Sequence, residues 1–250
     1  MNKLPNFKWR NCYGDVICAR FDGVVRAYWE KVALPALQSA ESEVQFWANS
    51  GNDADVFMYS DMLDQHLVTA AAMCLSLQSI WERQLRAYLL ACALEPRQEA
   101  QLIRKLQHDQ WDKLQIHFQR MRGVPLQAFL SFPDLDLLVQ MGNVCRHGAG
   151  RAANQLWRTY PELWPYSGSH NQADMAPPVE HMHIGTPLLR RLADAIEAFW
   201  QMIGYLYRES ITRKHISLER RLPAERQQHV VAIEHFNRII AGKTTAELAD

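Results

Sequence analysis

The feature that most constrains this chain is a long run, from about Asp55 to Ala93, whose apolar positions recur every three or four residues. Leu63, Leu67, Ala70, Ala71, Cys74, Leu77, Ile80 and Trp81 fall on that spacing, which lines one side of an α-helix and cannot line one face of a strand. Long stretches rich in Leu, Ala, Gln, Glu and Arg continue elsewhere. No segment shows the strict β-branched alternation of a half-buried strand. The expectation is an all-α fold, a helical bundle of five to seven helices.

Punctuation divides the rest. Pro35 marks a kink or boundary in the first helical stretch, and "SGNDADVF" a turn. A further helix is expected from Pro96 through "RQEAQLIRKLQHDQWDKLQIHFQRM", stopped by Gly123 and Pro125. The next begins at "FPDLDLL", where Asp134 and Asp136 suit the positive end of a helix. Residues 160–187 hold five prolines and form a loop too long for a plain connector. "PLLRRLADAIEAFWQMIGYLY" is an amphipathic helix, and the tail reads as a polar linker and one last helix. The expected segments are an N-terminal helical part (1–54), a central bundle (55–207), and a C-terminal linker and helix (208–250).

With 27 basic and 27 acidic residues the net charge is zero, which argues against a surface that is wholly a nucleic-acid footprint while leaving room for a local basic patch. The N-terminal residues show no apolar signal core, and the longest apolar run, near residues 69–77, is far short of a membrane span. Cys12, Cys18, Cys74, Cys92 and Cys145 are odd in number and lack metal spacing. Cys74, Cys92 and Cys145 lie in helical patterns, where a free cysteine behaves as a small apolar residue. These features suit a cytoplasmic protein. No membrane partner, cofactor or metal is expected.

The chemistry-bearing stretch is "GNVCRHGAGRAANQLW", residues 142–157. On one helix Asn143, His147 and Arg151 share a face, with Arg146 beside them and Leu135, Leu138 and Val139 marking the buried side. Gly142, Gly148 and Gly150 remove side chains around the stripe, so that another helix or a ligand can approach. An imidazole that exchanges protons near neutral pH, flanked by cations, has the parts for metal-independent RNA cleavage. A solvated helix end, with basic residues near the negative end of the dipole, uses the same residues. Other groups weigh less. His181 and His183, with His170 and Asp174, lack any metal framework, and the tryptophans Trp29, Trp47, Trp81, Trp111 and Trp200 read as core. Glu82, Arg83 and Arg86 read as a solvated face, and His66, His108 and His117 show no partner in the sequence.

"GNVCRH" resembles the motif of the HEPN superfamily, all-α domains that include metal-independent ribonucleases of toxin–antitoxin and phage-defence systems. That motif is Arg-Asn-x-x-x-His, matched here at Asn143 and His147. "LVQMGNVCRHGAGRAANQLWRTYPELW" and the later "DAIEAFW" at 194–200 resemble a bacterial group with an Asn-x-x-Lys/Arg-His-Gly-x-Gly run. The resemblance covers about residues 55–205. It implies a HEPN-like bundle, RNA as substrate rather than DNA, and a site formed across a homodimer or against a partner protein. It implies His147 as acid/base and Asn143 as an orienting or phosphate-holding group. The sequence departs from the motif at Gly142, where the family has its phosphate-binding arginine; Arg146 or Arg151 is then the candidate cation. The other expectation is a catalytically inactive helical interaction or dimerisation module. Arg208 and His215 make a second, chance-level match.

Overall fold

The computed structural model describes residues 3–94, 100–165 and 175–247. The regular structure of these residues is helix, with no strand among them, and the helices outnumber the five to seven expected. In chain order they are α1 (Tyr13–Ile17), α2 (Phe21–Tyr28), α3 (Leu34–Ala48), α4 (Val56–Leu94), α5 (Ala100–His108), α6 (Trp111–Arg122), α7 (Phe132–His147), α8 (Arg151–Thr159), α9 (Thr186–Ser210), α10 (Ile216–Gln228) and α11 (Val230–Glu247). Short 3-10 turns and one π turn, Trp29–Ala33, join some of them. Among the described residues, no helix is long and apolar enough to cross a membrane.

Two compact units divide the chain, and neither follows the boundaries at 54 and 207 read from the sequence. The first comprises residues 1–24, 81–133 and 195–250. Its core is aromatic: Trp81 lies 4.9 Å from Phe199 and 5.8 Å from Trp200, and Tyr88 lies 5.5 Å from Trp200 between ring centroids. Such pairs contribute about 0.5–1.5 kcal/mol each beyond the area they bury. The buried Trp200 indole donates to Gln84 Oε1 at 2.7 Å, and Gln84 in turn donates to the Phe21 carbonyl at 3.0 Å, whereas the buried Trp81 indole nitrogen beside them has no hydrogen-bond partner among the described residues.

The single helix expected from Pro96 to Met121 is two. Pro96 itself lies outside the described residues, and a break at Asp109–Gln110 separates α5 from α6. Arg86 explains the break. Its guanidinium donates to the carbonyls of Leu106 and Asp109, each at 2.7 Å, and so satisfies the end of α5 while Glu82 holds its other side. Arg86 is therefore a helix-end cap rather than part of a solvated face. His117 is partnered as well, 2.7 Å from Asp109 Oδ2. The expected polar linker is the helix α10, whose Leu222 is buried and whose Glu225 and Arg226 pair with Arg208 and Glu209 of α9.

The second unit comprises residues 25–80 and 134–194. Trp29, Ala33 and Leu37, together with Ala70, Cys74 and Leu77 of α4, are buried in it. Leu135, Leu138, Met141 and Val144 of α7 and Leu156 of α8 complete the core. Pro35 stands just after the π turn Trp29–Ala33, where a helix continuous from α2 to α3 changes its hydrogen-bond register. The described flanks of the 160–187 loop are pinned: Trp164 donates to the Pro178 carbonyl at 3.1 Å, and Asn154 of α8 accepts from the Ala176 amide at 2.8 Å.

Candidate functional site

Helix α7 carries the motif because its two sides differ. Leu135, Leu138, Met141 and Val144 fix the buried side, which leaves Asn143 half-buried and Arg146 and His147 exposed near its C-terminal end. Asn143 and His147 stand one turn apart on a shared face, and Arg146 is the i+3 neighbour of Asn143. Neither Asn143 nor His147 has a hydrogen-bond partner among the described residues.

Arg151 does not share that face. The helix ends at His147, where the Gly148 amide donates to the Val144 carbonyl at 2.8 Å and Gly148 takes the left-handed conformation, φ 71°. Gly150 follows at φ 143°, and Arg151 opens α8 as an exposed residue. The i+8 spacing cannot align residues across a break in the helix. A Cβ at Gly148 or Gly150 would meet nothing within 4 Å, so these glycines serve the turn and not a close approach.

Gly142 does serve a close approach. A Cβ there would lie 2.5 Å from Gln78 Oε1 and 2.6 Å from Gln78 Cδ, because the Gln78 side chain of α4 rests on the α7 backbone. Gln78 is 1% exposed, and its Oε1 accepts from Arg146 Nη2 at 2.8 Å. Helical side chains lean toward the N-terminus, so Arg146 reaches back one turn to the level of residue 142. Its other donors carry no partner among the described residues. The Arg146 guanidinium is thus held by Gln78, the same side chain that lies against Gly142 one turn earlier.

Cys145, between Arg146 and Val144, hydrogen-bonds Cys74 of α4, and that bond holds its thiol below the ordinary range while raising the buried Cys74. His181 and His183 are exposed loop residues, whereas His170 and Asp174 lie outside the described residues. No group of three His, Cys, Asp or Glu placed to hold a metal occurs among the described residues. Trp29, Trp81 and Trp200 are buried core, with Trp47 and Trp111 half-buried. The residue that sequence reasoning missed is Gln78. A glycine amid a polar stripe announces that something lies over it, but no spacing names a residue on another helix.

No family model, curated protein or solved structure matches the chain.

Proposed function

We propose that the chain is a HEPN-like, metal-independent endoribonuclease of the toxin or phage-defence type, with Asn143, Arg146 and His147 as its working residues. The observation that carries the reading is the Gln78–Arg146 hydrogen bond over Gly142, which returns a cation to the level of the missing motif arginine. His147 acts as the acid/base on the attacking 2′-hydroxyl or the leaving oxygen. Arg146 balances the charge that builds on the scissile phosphate, and Asn143 holds a phosphate oxygen or orients the imidazole. Arg151, beyond the glycine turn, contributes at most to binding the RNA strand. A homodimer that brings two copies of the α7 stripe to one cleft completes the site in this reading.

The test is cleavage of single-stranded RNA by the full chain with EDTA present, beside His147→Ala and Gln78→Ala. His147→Ala lowers the rate by about two to four orders of magnitude, the usual contribution of a positioned acid/base. Gln78→Ala weakens the reaction by releasing Arg146, and adding salt weakens RNA binding in proportion to the phosphates neutralised. Activity that survives His147→Ala but disappears with EDTA refutes the assignment. A wild-type chain that binds a partner and cleaves nothing favours the other reading, an inactive interaction module. The observation on that side is that Gly142 already has a packing reason to be glycine.

A further inference from the structure

Within the first unit lies a buried polar cluster that the proposed ribonuclease chemistry does not use. Asp15 and Arg122 are 1% and 4% exposed, and Arg122 Nη2 donates to both Asp15 carboxylate oxygens at 3.2 and 3.1 Å. Tyr88 Oη and Trp9 Nε1 donate to Asp15 Oδ1 at 2.9 and 3.2 Å, and the Cys12 amide donates to Oδ2 at 2.9 Å. The guanidinium lies 4.2 Å over the Trp9 ring. All this machinery surrounds two free thiols: Cys12 Sγ stands 2.7 Å from Cys92 Sγ, and Arg122 Nη1 donates to Cys12 Sγ at 3.0 Å.

The two sulfurs are not equivalent. Cys12, at the edge of the fold, is half-buried, whereas Cys92 of α4 is buried. The hydrogen bond from Cys92 and the charge of Arg122 hold the Cys12 thiol below its ordinary range, against its own burial and the Asp15 charge. Cys92 is raised by the same bond and by burial. Cys18, nearby, is pushed up to about 12 by burial and by Asp15. A half-exposed thiol whose sulfur accepts from a cation and stands in contact with a second thiol is the arrangement that reactive dithiols require. The other thiol pair, Cys74 and Cys145, has no cation acting on it.

We propose that Cys12 and Cys92 form a peroxide-reactive dithiol site that closes to a disulfide, with Cys12 as the attacking thiolate and Cys92 as the resolving thiol. The Cys12 sulfur attacks an oxygen of hydrogen peroxide; an S–O bond forms, the O–O bond breaks, and the departing hydroxide takes a proton to leave as water. The Cys92 sulfur then attacks the Cys12 sulfenic sulfur. The S–S bond forms, the S–O bond breaks, and the Cys92 proton leaves with the hydroxyl as a second water. Two electrons pass from the thiols to the peroxide. A disulfide is about 2.05 Å long, so closure moves the sulfurs together by only ~0.7 Å. Arg122 keeps Asp15 and the Arg10 carbonyl, 2.8 Å away, as partners after the Cys12 sulfur is consumed.

The experiment treats the reduced full-length chain with hydrogen peroxide, blocks remaining thiols with N-ethylmaleimide, and maps the products by proteolysis and mass spectrometry. The expected result is a loss of two hydrogens and a Cys12–Cys92 cross-linked peptide. It forms equally in Cys18→Ser, which removes the neighbouring thiol from the same segment. In Cys92→Ser the cross-link is absent and Cys12 accumulates a dimedone-trappable sulfenic acid. Arg122→Lys retains the charge and reacts within a few-fold of wild type, while Arg122→Gln reacts about tenfold more slowly or more. If Arg122→Gln does not fold, the wild-type, Cys18→Ser and Cys92→Ser maps still decide. The proposal is overturned if Cys12 and Cys92 both remain alkylatable under peroxide, or if the first linkage to form is Cys74–Cys145.

Discussion

Replacing Gly142 with alanine isolates the contact on which the candidate site rests. Alanine in a helix interior is ordinarily worth roughly 0.8–1.0 kcal/mol over glycine, so by propensity alone Gly142→Ala stabilises. The added Cβ would instead meet Gln78 Oε1, Cδ and Cγ at 2.5, 2.6 and 2.9 Å, all far inside van der Waals contact. Gln78 is enclosed on its other sides, so the whole side chain must move and give up its bond to Arg146. Overpacking a filled site costs about 1–3 kcal/mol, and the charge-assisted hydrogen bond adds to the upper part of that range. The net expectation is destabilisation by up to about 2 kcal/mol. With Gln78→Ala as background the obstacle is gone, and Gly142→Ala there stabilises by about 1 kcal/mol through propensity. Equilibrium urea unfolding of the two single variants and the double variant measures the coupling, expected at about 1–3 kcal/mol. If Gly142→Ala stabilises the wild-type chain as much as it stabilises Gln78→Ala, the two side chains do not compete for that space. The anchoring of Arg146 then fails with it.

Asp15→Ala leaves the Arg122 charge buried without its carboxylate, so it lowers stability by about 3–5 kcal/mol, read from the urea midpoint; a loss under 1 kcal/mol contradicts the burial of that pair. His229 packs 5.1 Å from the Tyr205 ring, and burial holds its pKa below the usual 6.5, with Glu225 opposing and Arg208 assisting. The unfolded chain therefore binds this proton at higher pH than the folded one, and stability declines as pH falls from about 6.5 through the lower folded pKa. His229→Gln should flatten that part of the curve; an unchanged slope between pH 7.5 and 5.5 assigns the acid sensitivity elsewhere.

The helices were legible wherever local pattern decided them. The spacing of Leu63 to Trp81 announced α4, and Gly123 announced the end of α6, because periodicity and left-handed glycine are properties of short stretches. What escaped was set by distant partners. Arg86 ends α5 from twenty and more residues away, and nothing around Gln110 announces that stop. The stripe was legible as far as Asn143 and His147, which lie within one helix. Arg151 was misaligned because the i+8 rule presumes an unbroken helix, and Gln78 is sixty-eight residues from the arginine it holds. The Cys12–Cys92 contact joins residues eighty apart, which no cysteine spacing reports.

The first unit also stitches early residues to late ones: Lys3 pairs with Glu234, the Asn6 amide donates to Asn237 Oδ1, and Asn237 donates to the Leu4 carbonyl. These bonds span 231 to 233 residues. On a ribosome adding about 5–20 residues per second, the segment around Asn6 waits on the order of 10–50 s for its partner to be made. During that interval Trp9, Cys12 and Asp15 have no finished unit to enter, and the thiol of Cys12 meets the solvent without Arg122 beside it until Arg122 has itself been synthesised. Nascent chains are thus the population in which a chaperone, or an oxidant, reaches this segment first.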